Sequence, residues 1–440
     1  MSTLGETPVG DPRERVLLQG LRLIDGTGRD PVPDAALLIE GPVIRWAGPA
    51  LLLPPDLGPA RLLDLGGRTV CPGFIDTHVH FALPGPAGDP LQGLFELPSY
   101  RTLKVLERMR VTLENGVTTA RDLMGVDAGF RRAVAERKVP GPRLLVSVTM
   151  LSQRAGHADF TLAGGIDGLA VAVTFPGSPP SLVGSVDDMR ARVRDLVAAG
   201  ADCVKIATSG GVSSPHDQPE WLGLRPEMIR AAVEEAAAYG GLPVAAHAIG
   251  RPGIEAAVRA GVTSIEHGYA LDDELRAEMV ERGQYLVPTL LETTQDLDPA
   301  RTSPTAYEKG VRWHRIAQES VARSASAGVR IAMGTDSGLA VGHGSNLREL
   351  ELLVNIAGLT PMAAIVAATS DAARLCGVDD ITGTLEAGKA ADLVVTDVDP
   401  LTGIAALGDP ARILAVVKEG RIAVDRAGVL GEGVLPALCP

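Results

Sequence analysis

The sequence predicts an α/β protein: a parallel (β/α)8 barrel carrying a small β domain built from both chain ends. Three observations lead there. Eight short apolar runs alternate with helix-like segments. Residues with catalytic or metal-binding side chains recur where those runs end. Both chain ends carry further β-like runs without helices between them. Strand–helix alternation reads as a parallel sheet, and eight such units suggest a closed barrel.

In chain order, the amino-terminal β-like runs lie at 16–24, 36–39 and 43–47. Barrel strands are expected at 70–80, 116–122, 143–148, 203–207, 243–247, 263–267, 285–289 and 329–336. Helices fall between several of them, such as the Ala-rich 226–239 and the more charged 272–282. The carboxyl-terminal β-like runs are 391–396 and 413–417. Neither end alone offers much core, so residues 1–69 and 381–440 are assigned to one β domain and 70–380 to the barrel. Two long segments, 156–186 and 210–224, are long enough to cover a site, as lids and binding loops do.

The chain has 440 residues, 45% of them hydrophobic, ample for a large core, yet only 3% aromatic, so that core is aliphatic and Ala-rich. A net charge of −13 argues against nucleic acid or an anionic membrane as a general partner and leaves a small-molecule substrate. No apolar stretch is long enough to span a bilayer, and Met1 to Arg15 lacks the apolar core of a signal peptide. Cys71, Cys203, Cys376 and Cys439 are far apart, which indicates neither a disulfide framework nor a sulfur zinc site. A cytoplasmic location is expected.

The most telling stretch is Asp76-Thr77-His78-Val79-His80, at the end of an apolar run. Side chains two apart on a strand point the same way, so His78 and His80 project together and can hold one metal ion. Lys205, His247, His267 and Asp336 follow, each near the end of a later run, and barrels keep their chemistry at the carboxyl ends of strands. Imidazole suits zinc and similar divalent ions, and carboxylate oxygen adds charge and can bridge two of them. The set reads as two divalent ions, zinc foremost: His78, His80 and Asp336 on one, His247 and His267 on the other. A protonated lysine among cations is repelled; a neutral one can react with carbon dioxide, giving a carboxylated Lys205 that bridges both. Taken singly, each residue has an ordinary explanation, a packed histidine, a lysine reaching solvent or an aspartate cap. The ordered set of six does not.

These residues carry a resemblance to the amidohydrolase superfamily. The matching pieces are Pro72-Gly73-Phe74-Ile75-Asp76-Thr77-His78-Val79-His80, Lys205, His247, Glu266-His267-Gly268, Gly334-Thr335-Asp336-Ser337 and the tail segment 383–394. The resemblance implies a distorted TIM barrel with a β-sandwich, one or two divalent metals, and hydrolysis by metal-bound hydroxide. Gly200-Ala201-Asp202-Cys203-Val204-Lys205-Ile206, Ser209-Gly210-Gly211-Val212, His343-Gly344 and 364–373 are similar to the prolidase-like branch, which includes Xaa-Pro and Xaa-Arg dipeptidases and ochratoxin-type amidases. One departure stands out: Ala155-Gly156-His157-Ala158 occupies the place of that branch's Gly-Gly-His-Gly.

The expected activity is hydrolysis of an amide or peptide-like C–N bond in a dipeptide or N-acyl amino acid, with Asp336 moving the proton from water to the leaving nitrogen. His157 is the leading candidate for substrate contact, followed by His216, Tyr269 and His343; His314, on a helix, reads as exposed. The alternatives are a hydrolase of a cyclic amide, lactone, carbamate or urea, and a non-catalytic binding protein on the same scaffold. A mononuclear deaminase fits less well, because Gly250 stands where those relatives carry Glu. Assembly into a homo-oligomer is an expectation of the resemblance only.

Overall fold

The computed structural model describes residues 15–56, 58–86, 88, 90–214, 217–295, 304–431 and 435–439. The amino-terminal strands are β1 (Arg15–Leu23), β2 (Val32–Glu40), β3 (Val43–Pro49), β4 (Arg61–Asp64) and β5 (Thr69–Pro72). Nine strands follow: β6 (Phe74–Val79), β7 (Val117–Asp122), β8 (Arg143–Val146), β9 (Met150–Leu151), β10 (Val204–Ala207), β11 (Val244–Ala248), β12 (Ser264–His267), β13 (Tyr285–Val287) and β14 (Arg330–Ile331). The chain closes with β15 (Leu393–Thr396), β16 (Ile413–Lys418) and β17 (Arg421–Asp425).

The two ends meet where β15 pairs antiparallel with β5, Val394 opposite Cys71. They form one eight-stranded mixed sheet, order β17-β16-β15-β5-β1-β2-β3 with β4 beside β1. A sandwich leads one to expect two separate sheets; among the described residues a single strand path serves both ends. Alternate side chains such as Val16 and Leu18 of β1, Leu37 and Ile39 of β2, and Leu393 and Val395 of β15 gather in a core of their own.

The remaining strands are all parallel, in a three-stranded sheet (β6-β7-β8) and a six-stranded one (β9 to β14). Backbone hydrogen bonds cross both gaps. At one, Asp202 N donates to Val146 O at 2.8 Å. At the other, Thr77 N donates to Met333 O, Asp336 N to His78 O and His80 N to Ser337 O, at 2.8–3.0 Å. The arrangement is TIM-barrel-like, with an extra domain. Helices such as Val186–Ala198, Pro226–Ala238, Arg251–Ala260 and Asp273–Arg282 lie between successive strands. Their ends are set locally: Ser185 and Asp272 cap amino termini, and Gly261 and Gly283 take the left-handed conformation after carboxyl termini.

Three strand expectations need correction. The run 329–336 keeps only β14, Arg330–Ile331, as strand; the residues after it bond to the β6 segment outside regular strand, Met333 O accepting from Thr77 N and Asp336 N donating to His78 O. The run 70–80 is not one strand: it divides at Gly73, where the chain passes from β5 in the mixed sheet to β6 in the barrel. A side chain at Gly73 would collide with Thr118, so glycine permits the crossing. The run 143–148 stops short: β8 ends at Val146, and Val148, with φ of 67°, turns the chain before β9. No helix among the described residues is long and apolar enough to cross a membrane.

Candidate metal centre and substrate cavity

The carboxyl ends of these parallel strands converge on one cavity of about 460 Å³. His78 and His80 leave the end of β6 together, as alternation requires, and both Nε2 atoms face Asp336 Oδ1, at 3.5 and 3.1 Å. Lys205 comes from within β10, not its end, and is 1% exposed; its Nζ lies 3.4 Å from His78 Nε2. The ring centroids of His78 and His267 are 5.2 Å apart, those of His247 and His267 4.8 Å. All six residues expected at the centre are therefore brought together.

Two of them have an unusual backbone shape. His267, the last residue of β12, and Asp336, in the segment that follows β14, have φ of 71° and 56°, a left-handed conformation rare outside glycine. Hydrogen bonds fix the rings. His267 Nδ1 is 2.8 Å from Thr289 Oγ1, and His247 Nε2 is 3.1 Å from Gly210 O, which leaves the opposite nitrogen of each ring for the centre. Asp76 ties the first and last strands of the circuit: it accepts from His78 N, Thr335 N, Thr335 Oγ1 and Asn346 Nδ2 at 2.6–3.2 Å.

The electrostatics suit cations. Burial drives His247 and His267 well below the ordinary histidine range, so both are neutral with a lone pair to give. Burial also lowers Lys205, to about 8, which makes a neutral amine accessible. Burial would raise Asp336, but His78 and the hydrogen-bonding His80 outweigh it and hold the carboxyl well below its usual range. Two described groups have donor atoms close enough to hold an ion: His78, His80 and Asp336, and His267, Glu292 and Asp336. The donor set, nitrogen-rich with carboxylate oxygen, fits a divalent metal.

The structure adds residues the sequence reading did not single out. Glu292, just past β13, faces the cavity beside Asp336; burial and then the Asp336 charge push it well above the ordinary carboxyl range. An acidic side chain shortly after a strand end was a visible signal, hidden because Leu290-Leu291-Glu292 also reads as the start of a helix. Behind His78 lies a buried chain of charge. Arg121 Nη2 donates to Glu266 Oε1 at 3.0 Å, Ser264 Oγ donates to the same oxygen at 2.5 Å, and Glu266 Oε2 sits 2.9 Å from His78 Nδ1. That last approach is too oblique for a straight hydrogen bond, so the attraction is chiefly electrostatic. Opposite charges inside two apolar strands were the available hint.

Of the candidate substrate contacts, His157 lines the cavity and stacks on His247, with centroids 4.0 Å apart and planes 11° apart. Its Nδ1 lies 3.6 Å from Asp217 Oδ2, on a loop whose carbonyls at Gly211 and Asp217 accept from Lys309 Nζ at 2.9 and 3.0 Å. Ala155 and Ala158 keep φ of 60° and 71°, so the loop retains a glycine-like shape without the glycines. Tyr269 lines the cavity and meets His267 edge-on at 5.7 Å. His343 does not reach the cavity lining: its Nε2 bonds Leu83 O at 3.1 Å and its ring stacks on Phe81, a loop-fixing arrangement. His314, expected to be exposed, is half-buried at the cavity wall. His216 lies outside the described residues.

Residues 69–423 match the sequence profile of the amidohydrolase family. The chain belongs to the amidohydrolase family. Among its relatives, the ochratoxinase of Aspergillus niger is 31% identical over 419 residues, 92% of this chain and 86% of the relative. A crystal structure of a Xaa-Pro dipeptidase with bound methionine in the active site superposes with a TM-score of 0.82 at 28% identity, covering 93% of this chain and 99% of that one. A prolidase complexed with N-methylphosphonate-L-proline gives 0.83 at 30%, covering 94% and 100%. These neighbours put this amidohydrolase in the prolidase-like and ochratoxinase branch, and it is a hydrolase acting on carbon–nitrogen bonds.

Proposed function

We propose that the chain hydrolyses the amide or peptide-like bond of a small substrate, a dipeptide or an N-acyl amino acid, with two divalent metal ions. The observation that carries this reading is the convergence of His78, His80, Lys205, His247, His267 and Asp336 at one end of the parallel strands. Zinc suits so nitrogen-rich a set. His78, His80 and Asp336 would hold one ion, and His247 and His267 the other. Lys205 would join the two sets after its neutral amine adds to carbon dioxide, forming an N–C bond and releasing a proton. Bound there, the ions supply acidity for a water molecule and polarisation of the acyl oxygen.

The protein groups do the rest. Asp336 accepts the proton of the attacking water and passes it to the leaving nitrogen as the C–N bond breaks. Water thus contributes its oxygen to the acyl product and its hydrogen to the amine. His157 and Tyr269, both on the cavity wall, orient the substrate. The relatives named Xaa-Pro dipeptidase and prolidase support a dipeptide-like substrate. A cytoplasmic setting is in keeping with the four free cysteines, and self-assembly is a family-level expectation. The test is metal analysis followed by a panel of dipeptides and N-acyl amino acids, with and without a free carboxylate. Two ions per chain and turnover of an amide are expected. A protein that holds no ion, or one that when loaded cleaves only esters, overturns the reading.

A further inference from the structure

One loop serves two imidazoles. His247 and His157 lie face to face, and the segment after β10 reaches both rings. Gly210 O meets His247 Nε2 at 3.1 Å, and Asp217 Oδ2 faces His157 Nδ1. Gly211 lets the second ring lie so near, because a side chain there would collide with His157 Cε1 and Nδ1.

Asp217 itself has little freedom. It is 2% exposed, and its Oδ1 accepts from Gly211 N at 3.1 Å. Its backbone is held from outside the loop by Lys309, on the helix Pro304–Ser326. That buried ammonium donates to Gly211 O at 2.9 Å, Ser214 O at 2.5 Å and Asp217 O at 3.0 Å, which uses all three of its hydrogens. His157 sits in a separate turn, closed by Ala155 N and Asp159 N, which donate to Asp159 Oδ2 and Gly156 O at 2.7 and 3.0 Å.

The second oxygen of Asp217 has a different task. Asp217 Oδ2 and His157 Nδ1 are both buried, and both lack a hydrogen-bond partner. They stand 3.6 Å apart. That leaves no room for a bridging water, and it exceeds an ordinary N–H···O bond by about 0.7 Å. Buried polar atoms left unpaired are costly, so this pair gains by closing.

We propose that Asp217 is a positioning residue for His157: it holds the ring proton on Nδ1 and draws the ring in through an Nδ1–H···Oδ2 bond that closes as substrate fills the cavity. Nε2 is then the nitrogen that meets the substrate. This rests on the reading of His157 as a substrate contact and adds the group that aims it. Holding the loop does not require Oδ2, since Oδ1 and Lys309 already do so.

Asp217→Asn separates the two oxygens. Gly211 N requires an acceptor, so the amide oxygen takes the place of Oδ1 and the amide nitrogen turns to His157. It donates, and the ring proton moves from Nδ1 to Nε2. The protein as purified is labelled with isotopic histidine and held at about pH 8.5, where an ordinary histidine is neutral. Proton–nitrogen correlation spectra then report which ring nitrogen is protonated, and His157→Ala identifies the signal. A proton on Nδ1 in the parent and on Nε2 in Asp217→Asn is expected. A proton on Nε2 alone in the parent, or the same ring state in both proteins, overturns the proposal.

Kinetics on an amide substrate give a second readout. Asp217→Asn should lower kcat/KM by about 10²-fold, the loss expected of a misplaced contact, with metal content unchanged. In a His157→Ala background the same change should cost no more than about twofold, because Asp217 acts through the ring. A loss equally large without His157 marks a purely structural role and overturns the proposal. If no amide is cleaved yet the ring proton switches, the hydrolase reading fails and the Asp217–His157 pair stands. If amides are cleaved and the proton does not switch, the pair alone fails.

Discussion

Glu266→Gln tests whether the buried charge chain behind His78 serves the metal centre. Glu266 is 0% exposed and its two oxygens face different partners, Arg121 with Ser264 on one and His78 Nδ1 on the other. Burial alone would raise its pKa, but Arg121 and then His78 outweigh that and hold it well below the carboxylate range, so it is ionised. The carboxylate favours a proton on Nδ1 and leaves the Nε2 lone pair facing Asp336 and any ion between them. Glutamine has nearly the same shape but no charge. If its oxygen stays with Arg121, its amide donates toward Nδ1, and the ring proton moves to Nε2, the ligating nitrogen. Loss of such an outer partner lowers metal affinity by about 10- to 100-fold. The stranded Arg121 guanidinium, 1% exposed, adds a folding penalty of about 3–5 kcal/mol, as for a broken buried pair. Competition against a chelator reads the affinity, and thermal unfolding of metal-free protein reads the penalty separately. Metal affinity within twofold of wild type would refute a role in holding His78, whatever happens to stability.

Asp336→Asn should retain most of its metal yet lose about 10²- to 10⁴-fold in kcat if its task is proton transfer; near-normal turnover removes that assignment. Lys205→Ala should lower metal content and activity together, read by elemental analysis, and a fully metallated active variant defeats the carboxylated lysine. His343 is lowered to about 4 by burial, so between its ordinary pKa and 4 the unfolded chain takes up a proton that the folded chain refuses. Its contribution is full above pH 6.5 and lost as pH falls toward 4, up to about 3 kcal/mol at ~1.36 kcal/mol per unit; His343→Gln in metal-free protein should flatten that acid-side slope. Ala158→Gly should raise the thermal midpoint, because a left-handed Ala carries roughly 1–2 kcal/mol of strain that glycine lacks; an unchanged or lower midpoint counts against strain in the His157 loop.

The residues of the centre were legible because strand alternation and strand ends are local properties. His78 and His80 are two apart at the end of an apolar run, and that alone sets them side by side. Lys205 was harder, since two more strand residues follow it, and only its burial against His78 explains a lysine in that place. Gly73 shows where a local pattern misleads: an unbroken apolar run can belong to two sheets if one residue without a side chain lets the backbone cross. Glu292 and Arg121 were legible only as oddities, an acid after a strand and a cation within one.

By itself, then, the sequence determined the strand–helix alternation, the six chemical groups and the family they mark, since each depends on a residue's own type and its near neighbours. The tertiary structure decided which distant charges meet. It paired Arg121 with Glu266 across 145 positions, turned His343 to a carbonyl instead of the cavity, and set Glu292 on the cavity wall beside Asp336. Those outcomes depend on how strands and loops far apart in the chain pack against each other, and no local spacing records such packing.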